Sequence, residues 1–212
     1  MDLTEDDKPQ SLRHADIRER RRNMLSAPHM APLAAFTGEL RTRLPGDVPD
    51  FDPLDGGINA SVLFLFEKPG PMTDATRQGN AGSGFISRNN NDLTAKATHS
   101  FMKEAGIPRF ETILWNLIPW WDGHISFTGA DRTTALRELS RFLALLPRLH
   151  TVVLVGRTAQ KARTQFGDLR VIESPHPSPK VRATNRAQWN SIAEIWRAAG
   201  SPFSSALRFP RP

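Results

Sequence analysis

Three short segments hold side chains that could carry out acid–base and recognition chemistry. In Phe66-Glu67-Lys68-Pro69-Gly70-Pro71, a carboxylate and an ammonium directly follow an apolar run and precede a proline turn. Polar groups at such a place sit on a pocket floor, where burial perturbs their ionisation. A strand that simply ends in a turn would use the same residues. In Ser174-Pro175-His176-Pro177-Ser178-Pro179, two prolines restrict the backbone around one histidine and make a rigid mount for it. Turn chemistry alone is the competing reading. The segment continues into Lys180, Val181 and Arg182, which put positive charge and one apolar residue at a tip. In Trp115-Asn116-Leu117-Ile118-Pro119-Trp120-Trp121, Asn116 closes an apolar run with an amide that both donates and accepts. That combination reads a nucleobase edge, and it also makes a capping or turn residue. Trp120 and Trp121 fit a hydrophobic cluster better than a stacking platform.

The elements that must position these side chains follow from periodicity. Residues 1–10 read as a disordered tail, Ser11 to Met24 as a helix bearing the run Arg18 to Arg22 on a solvated face, and Ala31 to Arg43 as an amphipathic helix. Leu44 to Gly57, rich in Pro, Asp and Gly, reads as loop. From there the pattern alternates. Strands are expected at Ser61 to Phe66, Thr112 to Leu117, Thr151 to Val155 and Leu169 to Ile172. A long loop covers Pro69 to Asn91. Helices are expected from Asn91 or Asp92 to Ala105 with Gly106 as the stop, at Asp131 to Leu146, at Thr158 to Phe166 and at Thr184 to Ala199. This alternation predicts an α/β fold, a three-layer α/β/α sandwich around a central, mainly parallel four-stranded sheet. The expected organisation is one domain over 1–212, with helices and loop at 11–57, a core at 58–199 and a tail at 200–212. Sites in open parallel sheets form at the carboxyl ends of strands. Here those ends are Phe66 to Gly70, Trp115 to Trp121, Gly156 to Arg157 and Glu173 to Pro179.

Composition narrows the partner. The chain carries 28 Lys and Arg against 22 Asp and Glu, a net charge of +6, which favours a polyanion such as nucleic acid. It has no cysteine, so its own residues cannot form disulfides, thiolate zinc sites or cysteine-held iron–sulfur clusters. No apolar run is long enough for a bilayer span, and the acidic, polar start does not resemble a secretory signal. A cytoplasmic monomer with no membrane partner is expected. Phosphate-binding Gly-X-X-X-X-Gly-Lys and nucleophile Gly-X-Ser-X-Gly motifs are absent.

In this order and at these strand ends, the segments resemble the uracil-DNA glycosylase superfamily over roughly Val62 to Ala199. Phe66 to Gly70 fills its first motif, and His176-Pro177-Ser178-Pro179 matches its second. His176 to Trp189 is most similar to the single-strand-selective monofunctional branch, and Gly82 to Pro108 to the iron–sulfur branch, whose four cluster cysteines are missing. Phe66 stands where relatives carry glycine, and Lys68 where they carry Asp, Asn or Ala. The resemblance implies a monofunctional enzyme of base-excision repair. It would flip a damaged base, most simply uracil, out of DNA and hydrolyse its glycosidic bond with no cofactor or metal. Glu67 would activate water and His176 would donate to the leaving base. Lys68 would bind phosphate, donate to the base or serve as an amine nucleophile. Phe66, Phe85 and Asn116 would bind the base, with Phe85 stacking on it. Pro71, Ser174, Ser178, Lys180, Val181, Arg182 and Arg186 would contact DNA, with Val181 or Arg182 filling the gap left by the flipped base. The alternative is a DNA- or base-binding protein of the same fold with altered or no hydrolytic activity.

Overall fold

Val62-Leu63-Phe64-Leu65-Phe66 has no polar side chain on either face of a pleat, so it is stable only where both faces are covered. In the computed structural model, which describes residues 3–76 and 81–200, this run is a fully buried strand, β2 (Val62–Phe66), after a two-residue strand β1 (Asp50–Phe51). β3 (Phe85–Ile86), β4 (Thr112–Asn116), β5 (Thr151–Val155) and β6 (Arg170–Ser174) follow. The central sheet has the order β4-β2-β5-β6, with β2·β4, β2·β5 and β5·β6 all parallel. β1 and β3 pair separately, also in parallel.

The helices are α1 (Leu3–Asp6), α2 (Ala15–Asn23), α3 (Ala31–Arg41), α4 (Leu93–Ala105), α5 (Gly129–Leu143), α6 (Arg157–Gln160), α7 (Pro179–Thr184) and α8 (Arg186–Gly200). Their ends follow local chemistry. The Asp92 carboxylate accepts from Ala95 N at 2.8 Å, and Gly106 closes α4 in the left-handed region. Thr128 and Asp131 form a reciprocal capping box that starts α5 two residues before the expected Asp131. Ser178 caps α7, with Pro179 in its first turn. Lys180 and Arg182, expected at an exposed tip, are exposed on this short helix, with Val181 half-buried between them.

Aromatic contacts identify the layers. Phe64 meets Trp196 of α8 edge-on at 4.9 Å, and Phe101 of α4 lies 5.9 Å from the same indole. On the other face Trp115 stacks on Phe51 at 4.0 Å and lies 5.5 Å from Phe142 of α5 and 6.4 Å from Phe36 of α3. The α/β/α sandwich is thus α4 and α8 on one side and α3, β1 and α5 on the other.

The N-terminal segment corrects two expectations. Residues 3–10, read as part of a disordered tail, carry α1 and are held by ion pairs. Asp6 pairs with Arg20 at 2.7 Å, and Asp7 pairs with Arg88 at 2.8 Å and with Arg109. Arg21, read as part of a solvated face, is fully buried against a fully buried Asp52. Asp52 also accepts from Arg109 Nη2 at 2.6 Å, from Ser87 Oγ and from Leu54 N. Burial opposes ionisation of Asp52, but Arg109 and Arg21 hold its carboxyl well below the usual carboxylate range. The expected tail at 200–212 lies, beyond Gly200, outside the described residues.

Removing one partner of such a pair leaves an uncompensated buried charge. Asp52→Ala is expected to cost about 3–5 kcal/mol in urea unfolding. A loss under about 1 kcal/mol, the range of exposed pairs, would show that the network adds little to stability.

Candidate active site

In the order β4-β2-β5-β6 the chain leaves β2 toward β4 on one side, then crosses through α5 to β5 on the other. The crevice of such a sheet opens at this reversal, between β2 and β5, at the carboxyl ends of the strands. Glu67 follows β2 and Gly156 follows β5, so both flank that crevice. Gly156 has φ +88°, which favours glycine. A Cβ on it would stand 3.2 Å from Cβ of His176 and 3.3 Å from Cδ2. The histidine therefore lies against the backbone at the end of β5. Sequence reasoning selected this strand end but did not see that Gly156 makes room for the imidazole.

Phe66 and Asn116 are register partners on neighbouring parallel strands, so their side chains leave the sheet on the same face. Phe64, two residues back, marks it as the α8 face. The Phe66 ring meets the His176 imidazole edge-on, with centroids 5.9 Å apart and planes at 88°. Phe66, Asn116 and His176 thus gather at one end of one face. The ladder continues past the strands, with Leu117 N donating to Phe66 O at 2.8 Å and Ile118 N to Glu67 O at 2.9 Å. Glu67 is therefore carried on hydrogen-bonded backbone one step beyond the Phe66–Asn116 pair.

The polar groups here are open. Asn116 is 5% exposed, yet among the described residues its amide has no hydrogen bond, and neither do the Glu67 carboxylate and the His176 ring. The Asn116 amide atoms are not fully buried, so this mostly covered side chain still reaches solvent and is open to a ligand. Burial pushes the His176 imidazole below its ordinary value of 6.5, so it is neutral at neutral pH. The loop around it is braced. Ser174 Oγ accepts from Trp196 Nε1 at 2.8 Å, Gly156 N donates to Ser174 O at 2.8 Å, and Ser178 N donates to His176 O at 2.8 Å.

Other expected site residues lie elsewhere. The Lys68 side chain is 3% exposed, and its ammonium is bound by Asp122 Oδ1 at 2.8 Å and Ser126 O at 3.2 Å. It is a strut between two loops. Ser174, expected to grip a phosphate, is fully buried, so its hydroxyl braces the histidine loop instead. Phe85 is 1% exposed and packs with Leu12 and Ile17, which leaves no ring face open to a base. Trp120 is buried as core. Pro71, Lys180, Arg182 and Arg186 are exposed, and Val181 and Ser178 are half-buried. The Ser178 hydroxyl is engaged as the α7 cap. Two surface grooves, one of about 550 Å³ bounded by Asp7, Arg88, His99 and Lys103 and one of about 360 Å³ between α4, α7 and α8, are not lined by Glu67, Asn116 or His176.

No curated protein matches the chain. The family model of the uracil DNA glycosylase superfamily matches residues 53–200, from the loop before β2 to the end of α8. That span contains the strand ends that carry Glu67, Asn116 and His176, together with the parallel sheet that aligns them. The chain belongs to the uracil DNA glycosylase superfamily.

Proposed function

We propose that the chain is a monofunctional DNA glycosylase that hydrolyses the N-glycosidic bond of a base turned out of DNA, with uracil as the substrate its side chains suit best. The observation that carries this reading is the Asn116 amide, open and without a partner among the described residues, on the same face as a neutral His176 at the end of a parallel sheet. Uracil presents a carbonyl and an adjacent N–H on its Watson–Crick edge, and one asparagine amide complements both. A base within a duplex cannot reach such a site and must first leave the stack.

Breaking the C–N bond puts positive charge on the sugar and negative charge on the departing base. His176, as a neutral imidazole, donates a hydrogen bond to the base oxygen as that charge develops. Phe66, edge-on to the ring, holds the imidazole in orientation. Glu67 accepts a proton from the attacking water and faces the cationic sugar with its carboxylate. The water oxygen forms the new bond to the anomeric carbon, and the base leaves as an anion that solvent protonates. The engagement of Lys68 with Asp122 favours this water route over an amine nucleophile. The net charge of +6 and the exposed Lys180, Arg182 and Arg186 suit the DNA backbone.

Base release from oligonucleotides carrying uracil, hypoxanthine or xanthine tests the reading, with uracil expected to be released fastest. DNA binding with no release from any of them would favour a non-hydrolytic member of the fold. His176→Ala is expected to slow release about 100-fold to 1000-fold while DNA affinity is retained. Undiminished release would remove His176 from the mechanism.

The imidazole also predicts a pH dependence of stability. Its folded pKa is depressed, so the unfolded chain binds the proton more readily. The stabilisation is complete above the ordinary value of 6.5 and is lost as pH falls through the folded value. Urea unfolding on either side of pH 6.5 should show stability falling toward acid, and the fall should be shallower in His176→Phe. An unchanged slope in that variant would mean that the imidazole is not buried neutral.

A further inference from the structure

The groove of about 360 Å³ between α4, α7 and α8 has a chemistry of its own. Its walls include Leu93, Lys96, Ser100, Phe101, Arg182 and Trp189, and among the described residues none that lines it is acidic. Trp189 stands edge-on to Phe101 at 5.0 Å, which fixes the plane of the indole. Arg182 lies 5.6 Å from the indole centroid, over its face. Leu93 is 62% exposed, a large apolar side chain left at the rim. Aromatic and apolar surface flanked by two cations is what an unpaired nucleotide requires, because the base stacks on the ring while the phosphate meets the charges. The groove also adjoins the candidate active site. Pro179, on its wall, is three residues beyond His176, a span of at most about 11 Å of extended chain.

We propose that this groove is a subsite for one unpaired base of the strand that enters the active site, stacked on Trp189 with its phosphate held by Lys96 and Arg182. A base in a duplex keeps both faces on its neighbours and cannot offer one to Trp189. The subsite therefore adds to the binding of a single strand and not to that of a duplex. The proposal rests on the glycosylase reading for the position of the strand, but binding of undamaged DNA tests it without base release, so either can fail alone.

The experiment measures dissociation constants of the full chain for a fluorescent oligothymidine and for an undamaged duplex. Trp189→Leu, which keeps apolar contact with Phe101, is expected to weaken oligothymidine binding about tenfold and leave duplex binding unchanged. Trp189→Phe, which keeps a ring, should bind the single strand within about twofold of the unaltered chain. Lys96→Glu, at an exposed position, decides the matter if Trp189→Leu loses its circular dichroism. It should weaken single-strand binding more than duplex binding. Unchanged oligothymidine affinity in a folded Trp189→Leu chain, or equal loss on both DNAs in either variant, would overturn the proposal.

Discussion

The parallel register of β4, β2, β5 and β6 is the constraint on which the site depends. Phe66 pairs with Asn116, and Val155 pairs with Ser174, so the last residues of neighbouring strands meet at one edge. A slip of one residue in β4 would turn Asn116 to the opposite face and Trp115 away from Phe51. The packing of Trp115 on Phe51 and against Phe142 therefore fixes the register that delivers the amide. The same edge receives Gly156, whose missing side chain lets the imidazole approach, and Ser174, whose hydroxyl ties the histidine loop to Trp196 of α8. Rigidity at this edge comes from backbone ladders and buried hydrogen bonds, which leaves Glu67, Asn116 and His176 free to serve a ligand.

Charge is distributed differently at the other edge. Arg109 lies just before β4, where Gly56 N donates to Thr112 O and Ser61 N to Glu111 O. There Asp52, Arg21, Arg109 and Asp7 close a buried ionic network that fastens α1 and α2 to the body of the fold. Asp55 joins it through Arg109 Nε at 2.8 Å, and burial raises its carboxyl above the usual range. Such a network is unforgiving, since each charge depends on its partner's presence. At the amino edge the charges pair with one another, although Arg21 Nε, Arg88 Nε and one Asp55 oxygen have no hydrogen-bond partner among the described residues. At the carboxyl edge Glu67, Asn116 and His176 make no side-chain hydrogen bond among the described residues and stay open to a ligand. This contrast between paired charges and open side chains separates the part of the molecule that holds the fold from the part suited to chemistry.

The sheet and its helices were legible because their signals are local. The apolar run at Thr151–Val155 is the strand with the same bounds, and Asp92 and Gly106 mark the two ends of α4 as expected. What escaped was non-local. β1 and β3 are two residues each, too short for a pattern. Arg21 sits among charged neighbours, and its burial is accounted for by Asp52, Asn89 and the Asp6 carbonyl, all distant along the chain. Asp7 looked like part of a solvated tail because its partners, Arg88 and Arg109, are distant in sequence. At the site, motif order located Phe66, Asn116 and His176 on a common edge, but composition alone could not reveal that Lys68 meets Asp122 or that Ser174 faces inward to Trp196. Trp189 falls within the helix expected at Thr184 to Ala199, but the groove it lines exists only once α4, α7 and α8 are assembled.

The central claim is that Asn116 and His176 hold one extruded nucleobase between them. A crystal structure of the Glu67→Gln chain with a uracil-containing single strand tests it most directly. The account predicts the uracil edge within hydrogen-bond distance of the Asn116 amide, and its other carbonyl oxygen in reach of the His176 ring. A base bound away from both side chains, with the amide still unpartnered, would contradict it.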